Sequence, residues 1–367
     1  MMSRLESLDW LRGLLALSIM VYHLTGWKLY QPASDELLGR LGIYGVSMFF
    51  ILSGLAMAAG YASYICDLRT SAKFFVRRIF RIWPLLWLAV AAVTTGGVLL
   101  KGEAVNWPLV LLNITTAFGF VNPGAYINTG AWSIGNEMVY YALTPALLVA
   151  YNRSPRLGNG IVAASIAVAV YLSFVALTPG ATLASQWHIY INPFNNLFLY
   201  AAGVAIYYNT RRLTLHPATA LTAMVGAVAL LAFYPADGDL IAVVTGTNRL
   251  VFCLASVLIV LSFYKLTARP HRWIATPLAA LGAATYGVYL LHPIAFPVVE
   301  LATRRLGLPL GSMGVIAATI ALTIAMSMLL YERLELPLIR LGKRITADES
   351  VGRGVAPLLR TEGTPKP

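Results

Sequence analysis

The stretch "LDWLRGLLALSIMVYHLTGW", residues 8–27, has the length and apolar content of a membrane-spanning helix, yet it carries Arg12 and His23. An ionisable side chain inside a bilayer is costly, and such residues face a bundle interior or a hydrated cavity. Arg12 and His23 are eleven positions apart, about three helical turns plus roughly 20°, so they share one face, with Asp9 within about 40° of it. The same rise separates them by ~16 Å along the axis. Snorkelling to the surface can relieve Arg12 near its end of the helix, but His23 is too deep for that. A line of ionisable groups on one face therefore predicts a polar passage inside the bundle, running without interruption from Arg12 to His23.

Composition supports a membrane protein. The 367 residues are 58% hydrophobic and 11% charged, where an ordinary soluble domain is about a quarter charged, and mean hydropathy is +0.71. The net charge of +12 falls in short clusters between apolar runs, a membrane pattern that excludes nucleic acid as a partner. Cys66 and Cys253 are far apart and read as apolar packing thiols. Residues 8–27 lack a small-residue cleavage pattern and are kept as the first span rather than a signal peptide.

Apolar runs of span length occur near residues 8–26, 42–63, 83–101, 130–151, 160–178, 193–209, 217–234, 249–266, 280–302 and 312–332. The segment 107–120 is too short and polar to cross and reads as interfacial or re-entrant. With the N-terminus inside, 20 Lys and Arg residues fall on the inner side and 6 on the outer, as the positive-inside rule requires. The expected fold is therefore all-α: a polytopic bundle of about ten transmembrane helices with both termini cytoplasmic. Residues 1–345 form the one transmembrane domain and 346–367, polar and aperiodic, a disordered cytoplasmic tail.

Three further polar stations accompany the first helix. "GAWSIGNEMVYYAL", 130–143, brings Glu137 to the depth of His23, and a membrane carboxylate needs a partner. His23 is the expected one: a His–Glu pair suited to taking a proton from a hydroxyl. Trp132, Ser133, Asn136 and Tyr140 could line an acceptor site beside it. "FFVRRIFRIWPLLW", 74–87, sets Arg77, Arg78 and Arg81 at i, i+3 and i, i+4 spacing, a cationic rim suited to phosphates. "TYGVYLLHPIAF", 285–296, places His292 in the ninth span, where Pro293 would kink the helix; His292 joins the acceptor-lining candidates. Ser53–Gly54 in "FFILSGLAM" reads as a close-packing contact. Metal-ligand spacing, a phosphate-cradling glycine loop and a serine with a local base are all missing, so no metal is expected.

Taken together and in order, "LDWLRGLLALSIMVYH", "FFILSGL", "RRIFRIWPL", "WSIGNEMVYY", "YGVYLLHPI" and "YERLELPLIRL" resemble the acyltransferase-3 family of membrane acyltransferases, from Leu8 to about Leu341. The resemblance implies a ten-helix enzyme of the bacterial inner membrane that moves an acyl group, commonly acetyl, from cytoplasmic acyl-CoA to a hydroxyl of an extracytoplasmic glycan such as an exopolysaccharide or its lipid-linked precursor. Acyl-CoA is then a co-substrate rather than a resident cofactor. Arg12 and His23 match the family's first-helix pair, Arg77, Arg78 and Arg81 its second basic motif, and Glu137 the acid of its "WS...E" motif. Trp10 departs from the small residue common at its position, and no esterase-like domain follows the tenth span.

The implied mechanism docks the nucleotide of acyl-CoA on Arg77, Arg78 and Arg81, with Arg12 further in, and makes His23, held by Glu137, a base or an acyl-carrying nucleophile. The rival is a proton-coupled transporter or flippase for an anionic solute or lipid-linked sugar. A proton relay wants carboxylates through the whole membrane depth, and acids inside the spans are few.

Overall fold

The computed structural model describes residues 6–267 and 270–347, and every regular element among them is helical. In chain order these are α1 (Glu6–Lys28), α2 (Leu37–Tyr61), α3 (Leu68–Lys101), the short α4 (Trp107–Ile114) and α5 (Phe118–Val121), α6 (Trp132–Arg153) and α7 (Pro155–Tyr171). After a π-turn over Leu172–Ala176 come α8 (Trp187–Tyr190), α9 (Pro193–Thr210), α10 (Pro217–Phe233), α11 (Ile241–Val244) and α12 (Gly246–Lys265). The chain continues with α13 (Arg272–Ala283), α14 (Thr285–Arg305), α15 (Ser312–Leu330), a second π-turn over Tyr331–Glu335, and α16 (Leu336–Ile345). All ten apolar runs lie on helices, and 107–120 forms the short α4 and α5.

Five described helical segments are long and apolar enough to cross a membrane, or six if the bent pair α13–α14 is one span. α1 and α6, which carry Arg12, His23 and Glu137, fall outside that set. Asp9, Arg12 and His23 in one, and Asn136 and Glu137 in the other, dilute their apolar character. Exposed Leu99, Phe233, Trp273 and Met313 form the kind of apolar exterior that lipid covers. This is an integral membrane protein.

Local chemistry explains several boundaries. Asp67 caps α3 by accepting from the Thr70 amide at 2.7 Å, while the Thr70 hydroxyl closes the capping box. The Thr70 amide and hydroxyl hold the Asp67 carboxyl below its usual range,. From that cap α3 runs as one helix through Pro84, so the basic segment and the third apolar run are a single rod. The ninth run is broken instead: α13 and α14 meet at 72°. The bend lies at Ala284, and α14 passes through Pro293.

Gly54 of α2 and Gly203 of α9 mark a close helix crossing. A Cβ on Gly54 would lie 2.0 Å from the Tyr200 carbonyl oxygen, and one on Gly203 2.0 Å from that of Ile51. Small residues let the two backbones touch, as expected of a membrane bundle. Two of the six basic residues assigned to the outer side are buried anchors. Arg40 donates to the Ser34 and Leu231 carbonyls at 2.6 and 3.1 Å, and Arg249 to Asn195 Oδ1 at 2.7 Å.

Two expectations need correction. Cys253 is buried, but Cys66 is exposed and is no packing thiol. Thr346 is buried and accepts from Arg77 Nε at 2.7 Å, so the folded part passes residue 345. The rest of the expected tail, residues 348–367, lies outside the described residues.

Candidate active site

Two cavities lie side by side along the inner face of α1. The first, about 440 Å³, is lined by Asp9 and Arg12 of α1, Ser53 of α2, Arg78 and Arg81 of α3, and Glu137 and Tyr141 of α6. The second, about 600 Å³, is lined by His23 and Trp27 of α1, Trp132 of α6, Trp187 of α8, and the loop residues Gln31 and Asp239. Val46 and Tyr289 line both.

The first cavity is ionic. Arg12 Nη1 meets Asp9 Oδ1 at 2.7 Å, one helical turn back, and Arg81 Nη1 meets the buried Glu335 Oε2 at 2.9 Å. Arg78 differs from both. It lies over the rings of Tyr61, Phe74 and Tyr141 and donates to the Tyr61 hydroxyl at 3.1 Å, while its buried Nε has no partner among the described residues. Arginine on aromatic faces gains cation–π attraction, but a buried N–H without an acceptor is costly. Arg78 is thus the guanidinium of the three with no carboxylate partner among the described residues and with a buried N–H left over. Glu137 Oε1 accepts from Ser53 Oγ and from the Tyr141 hydroxyl, each at 2.5 Å.

The second cavity is aromatic, and His23 enters it from a fixed chain of hydrogen bonds. His23 Nδ1 lies 2.8 Å from His292 Nε2, and His292 Nδ1 lies 3.0 Å from the Val288 carbonyl oxygen. A carbonyl only accepts, so His292 Nδ1 carries the hydrogen, and neutral His292 must accept at Nε2. The hydrogen between the rings therefore belongs to His23 Nδ1, which leaves a lone pair on His23 Nε2. Trp27 stacks on His23 with centroids 5.3 Å apart and planes within 9°, pinning the ring.

The shared wall is also fixed. The Ser133 hydroxyl lies 2.9 Å from that of Tyr289, which lies 3.0 Å from the Gly130 carbonyl oxygen. Gly130 has φ +84°, a left-handed conformation, and a Cβ there would meet the Tyr289 hydroxyl at 3.0 Å. Glycine suits both constraints.

Residues 5–332 match the family model Acyl_transf_3, described as an acyltransferase domain. The chain belongs to the acyltransferase-3 family. The provisionally named membrane-bound transacylase BcsY of Komagataeibacter xylinus is 30% identical over 91% of this chain and 82% of its own length. The exopolysaccharide production protein ExoZ of Rhizobium meliloti (strain 1021) is 29% identical over 84% and 93%. The provisionally named peptidoglycan O-acetyltransferase YrhL of Bacillus subtilis (strain 168) is 24% identical over 82% of this chain and 49% of its own. No solved structure gives a significant match.

Against this family assignment, the geometry corrects several sequence-based expectations. His23 and Glu137 are not a pair: His23 bonds His292, and Glu137 bonds Ser53 and Tyr141 in the other cavity. Equal depth on two helices says nothing of which way each side chain turns. The polar space expected from Arg12 to His23 is found as two neighbouring cavities that share Val46 and Tyr289. Arg78 and Arg81 enter the first cavity, but Arg77 turns away to Thr346 and the Tyr64 ring. Of the acceptor-lining candidates, Trp132 lines the histidine cavity and Ser133 the arginine cavity. Asn136 and Tyr140 instead tie α6 to the carbonyls of Ile191 and Pro193, and His292 is buried behind His23. Tyr141, next to Tyr140 in "WSIGNEMVYY", does border the arginine cavity with Glu137. Ser53, Tyr289 and Glu335 lie in the motifs "FFILSGL", "YGVYLLHPI" and "YERLELPLIRL" but carry no site role in the sequence reading, and Asp239 has no motif around it.

Proposed function

We propose that this protein moves an acyl group, most simply acetyl, from cytoplasmic acyl-CoA to a hydroxyl of a glycan on the far side of a bacterial inner membrane, through ten spans with both termini in the cytoplasm. The arginine cavity takes the donor and the histidine cavity the acceptor. The names of BcsY, ExoZ and YrhL, a transacylase, an exopolysaccharide production protein and a peptidoglycan O-acetyltransferase, support this class of reaction.

Arg78, with its spare N–H, anchors a donor phosphate. Arg12 and Arg81 join by exchanging Asp9 and Glu335 for phosphate oxygens, which suit guanidinium geometry. The flexible pantetheine arm carries the thioester along α1, ~16 Å from the level of Arg12 to that of His23, passing between Val46 and Tyr289. There His23 Nε2 takes the proton of an acceptor hydroxyl as its oxygen attacks the thioester carbonyl. The C–O bond forms, the C–S bond breaks, and the departing thiolate recovers the proton from His23. His292 is a positioning residue, because its bond to Val288 sets which nitrogen of His23 is the base.

The observation that carries this reading is the single-direction chain from the Val288 carbonyl through His292 to His23 Nε2. Purified protein given acetyl-CoA and glycan should release free CoA only when both are present, and His23→Ala should stop it while the protein still folds and binds donor. Solute flux without CoA consumption would instead make it a transporter.

A further inference from the structure

We infer that the sugar residue acylated in the histidine cavity is uncharged, a neutral hexose or N-acylated amino sugar rather than a uronic or other acidic residue; this rests on reading that cavity as the acceptor chamber. Among the described residues its lining includes no lysine or arginine, and its one formal charge is the Asp239 carboxylate. Lys28, next in sequence to the lining Trp27, is turned to Glu300 at 2.6 Å. An anionic sugar entering here would lose water without gaining a cation and would face a like charge, a cost that rejects it.

The groups that are present suit a neutral pyranose. Trp27, Trp132 and Trp187 offer apolar surface to its C–H face. Asp239 and Gln31 offer polar atoms to its hydroxyl edge. Asp239 Oδ1 is already occupied, accepting from the Leu183 and Ile241 amides at 2.7 and 2.9 Å. Its Oδ2 makes no hydrogen bond among the described residues, so it is the acceptor available to a sugar hydroxyl. Both amides also hold the carboxylate still, so the position of its charge is built in rather than acquired on binding.

The test uses the full-length protein in detergent or vesicles, with acetyl-CoA and a glycan extract of the cells that make it. After digestion, mass spectrometry identifies the monosaccharide that carries the acyl group. An acyl-hexose or acyl-N-acylhexosamine is expected; an acylated uronate or other acidic residue overturns the inference and leaves the proposed function standing. No acylated residue and no CoA release overturns the proposed function, and this inference with it. Asp239→Asn is nearly isosteric and still accepts both amides at Oδ1. It should raise the acceptor KM about three- to tenfold, the loss of one charge-assisted hydrogen bond, with acyl-CoA KM unchanged. An unchanged acceptor KM removes Asp239 from the argument for a neutral sugar.

Discussion

The two cavities along α1 are neighbours with opposite chemistry. One gathers three guanidiniums and pairs two of them with carboxylates, Arg12 with Asp9 and Arg81 with Glu335. The other has aromatic walls and a single carboxylate, with an imidazole whose hydrogens are fixed from behind. The contrast teaches that one helix can border two chambers of unlike charge along a single polar face. Replaceable ion pairs suit an arriving polyanion, whereas an oriented base among aromatic walls suits a neutral hydroxyl.

The largest effect should come from the aromatic side. His23→Ala removes the imidazole of that cavity, and kcat should fall on the order of 10²–10⁴-fold, with donor binding by calorimetry unaltered. Retained turnover would mean that the chemistry happens elsewhere, and the division of labour would fail.

On the ionic side, Arg78→Ala should raise the acyl-CoA KM about 10–100-fold, the worth of a hydrogen bond to a charged group. The wild-type KM should itself rise with salt, because phosphate pairing is screened. Arg77→Ala, one residue away but turned to Thr346, should change KM less than about threefold, within the range of a surface substitution. Equal effects of the two would show that the rim acts as a diffuse field rather than through one oriented donor.

His292→Gln sharpens the comparison from behind the base. The amide can still reach His23 Nδ1 but does not reproduce the ring's bond to Val288, so His23 loses its imposed tautomer. A kcat loss of about tenfold, with both KM values near wild type, is expected for one positioning bond. The pH profile of kcat should shift as well, a change that loss of packing alone would not cause.

The sequence disclosed the elements and the residue types better than their partners. Arg12, His23 and Asp9 were legible because helical periodicity alone sets their common face. The arginine cluster was half legible: i, i+3 and i, i+4 spacing brought Arg78 and Arg81 together but could not show that Arg77 lies on the far flank of α3. The His23–Glu137 pairing failed because depth along two helices is readable from their ends, while rotation about each axis is set by packing. Here Gly54 and Gly203 bring α2 and α9 into backbone contact, and Glu137 is met by Ser53 of that same α2. His292 was seen, but as a lining residue; its bond to His23 joins α1 to α14 across 269 positions, beyond any local pattern. Asp239 sits in a loop with no periodicity to announce it.

The smallest effect should come from the wall itself. Tyr289→Phe keeps the ring between the cavities but deletes the hydroxyl that meets Ser133 and the Gly130 carbonyl. Losing one or two neutral hydrogen bonds costs about 0.5–1.5 kcal/mol each, so a drop of a few degrees in melting temperature is expected. Activity tells which way the wall works. If the acyl end of the donor must pass between Val46 and Tyr289, loosening the ring should leave kcat unchanged or raise it about twofold, and Val46→Trp should block transfer while donor still binds. If transfer survives Val46→Trp at wild-type rate, the acyl group reaches His23 by another route, and the arginine cavity is not the donor chamber that the contrast makes it.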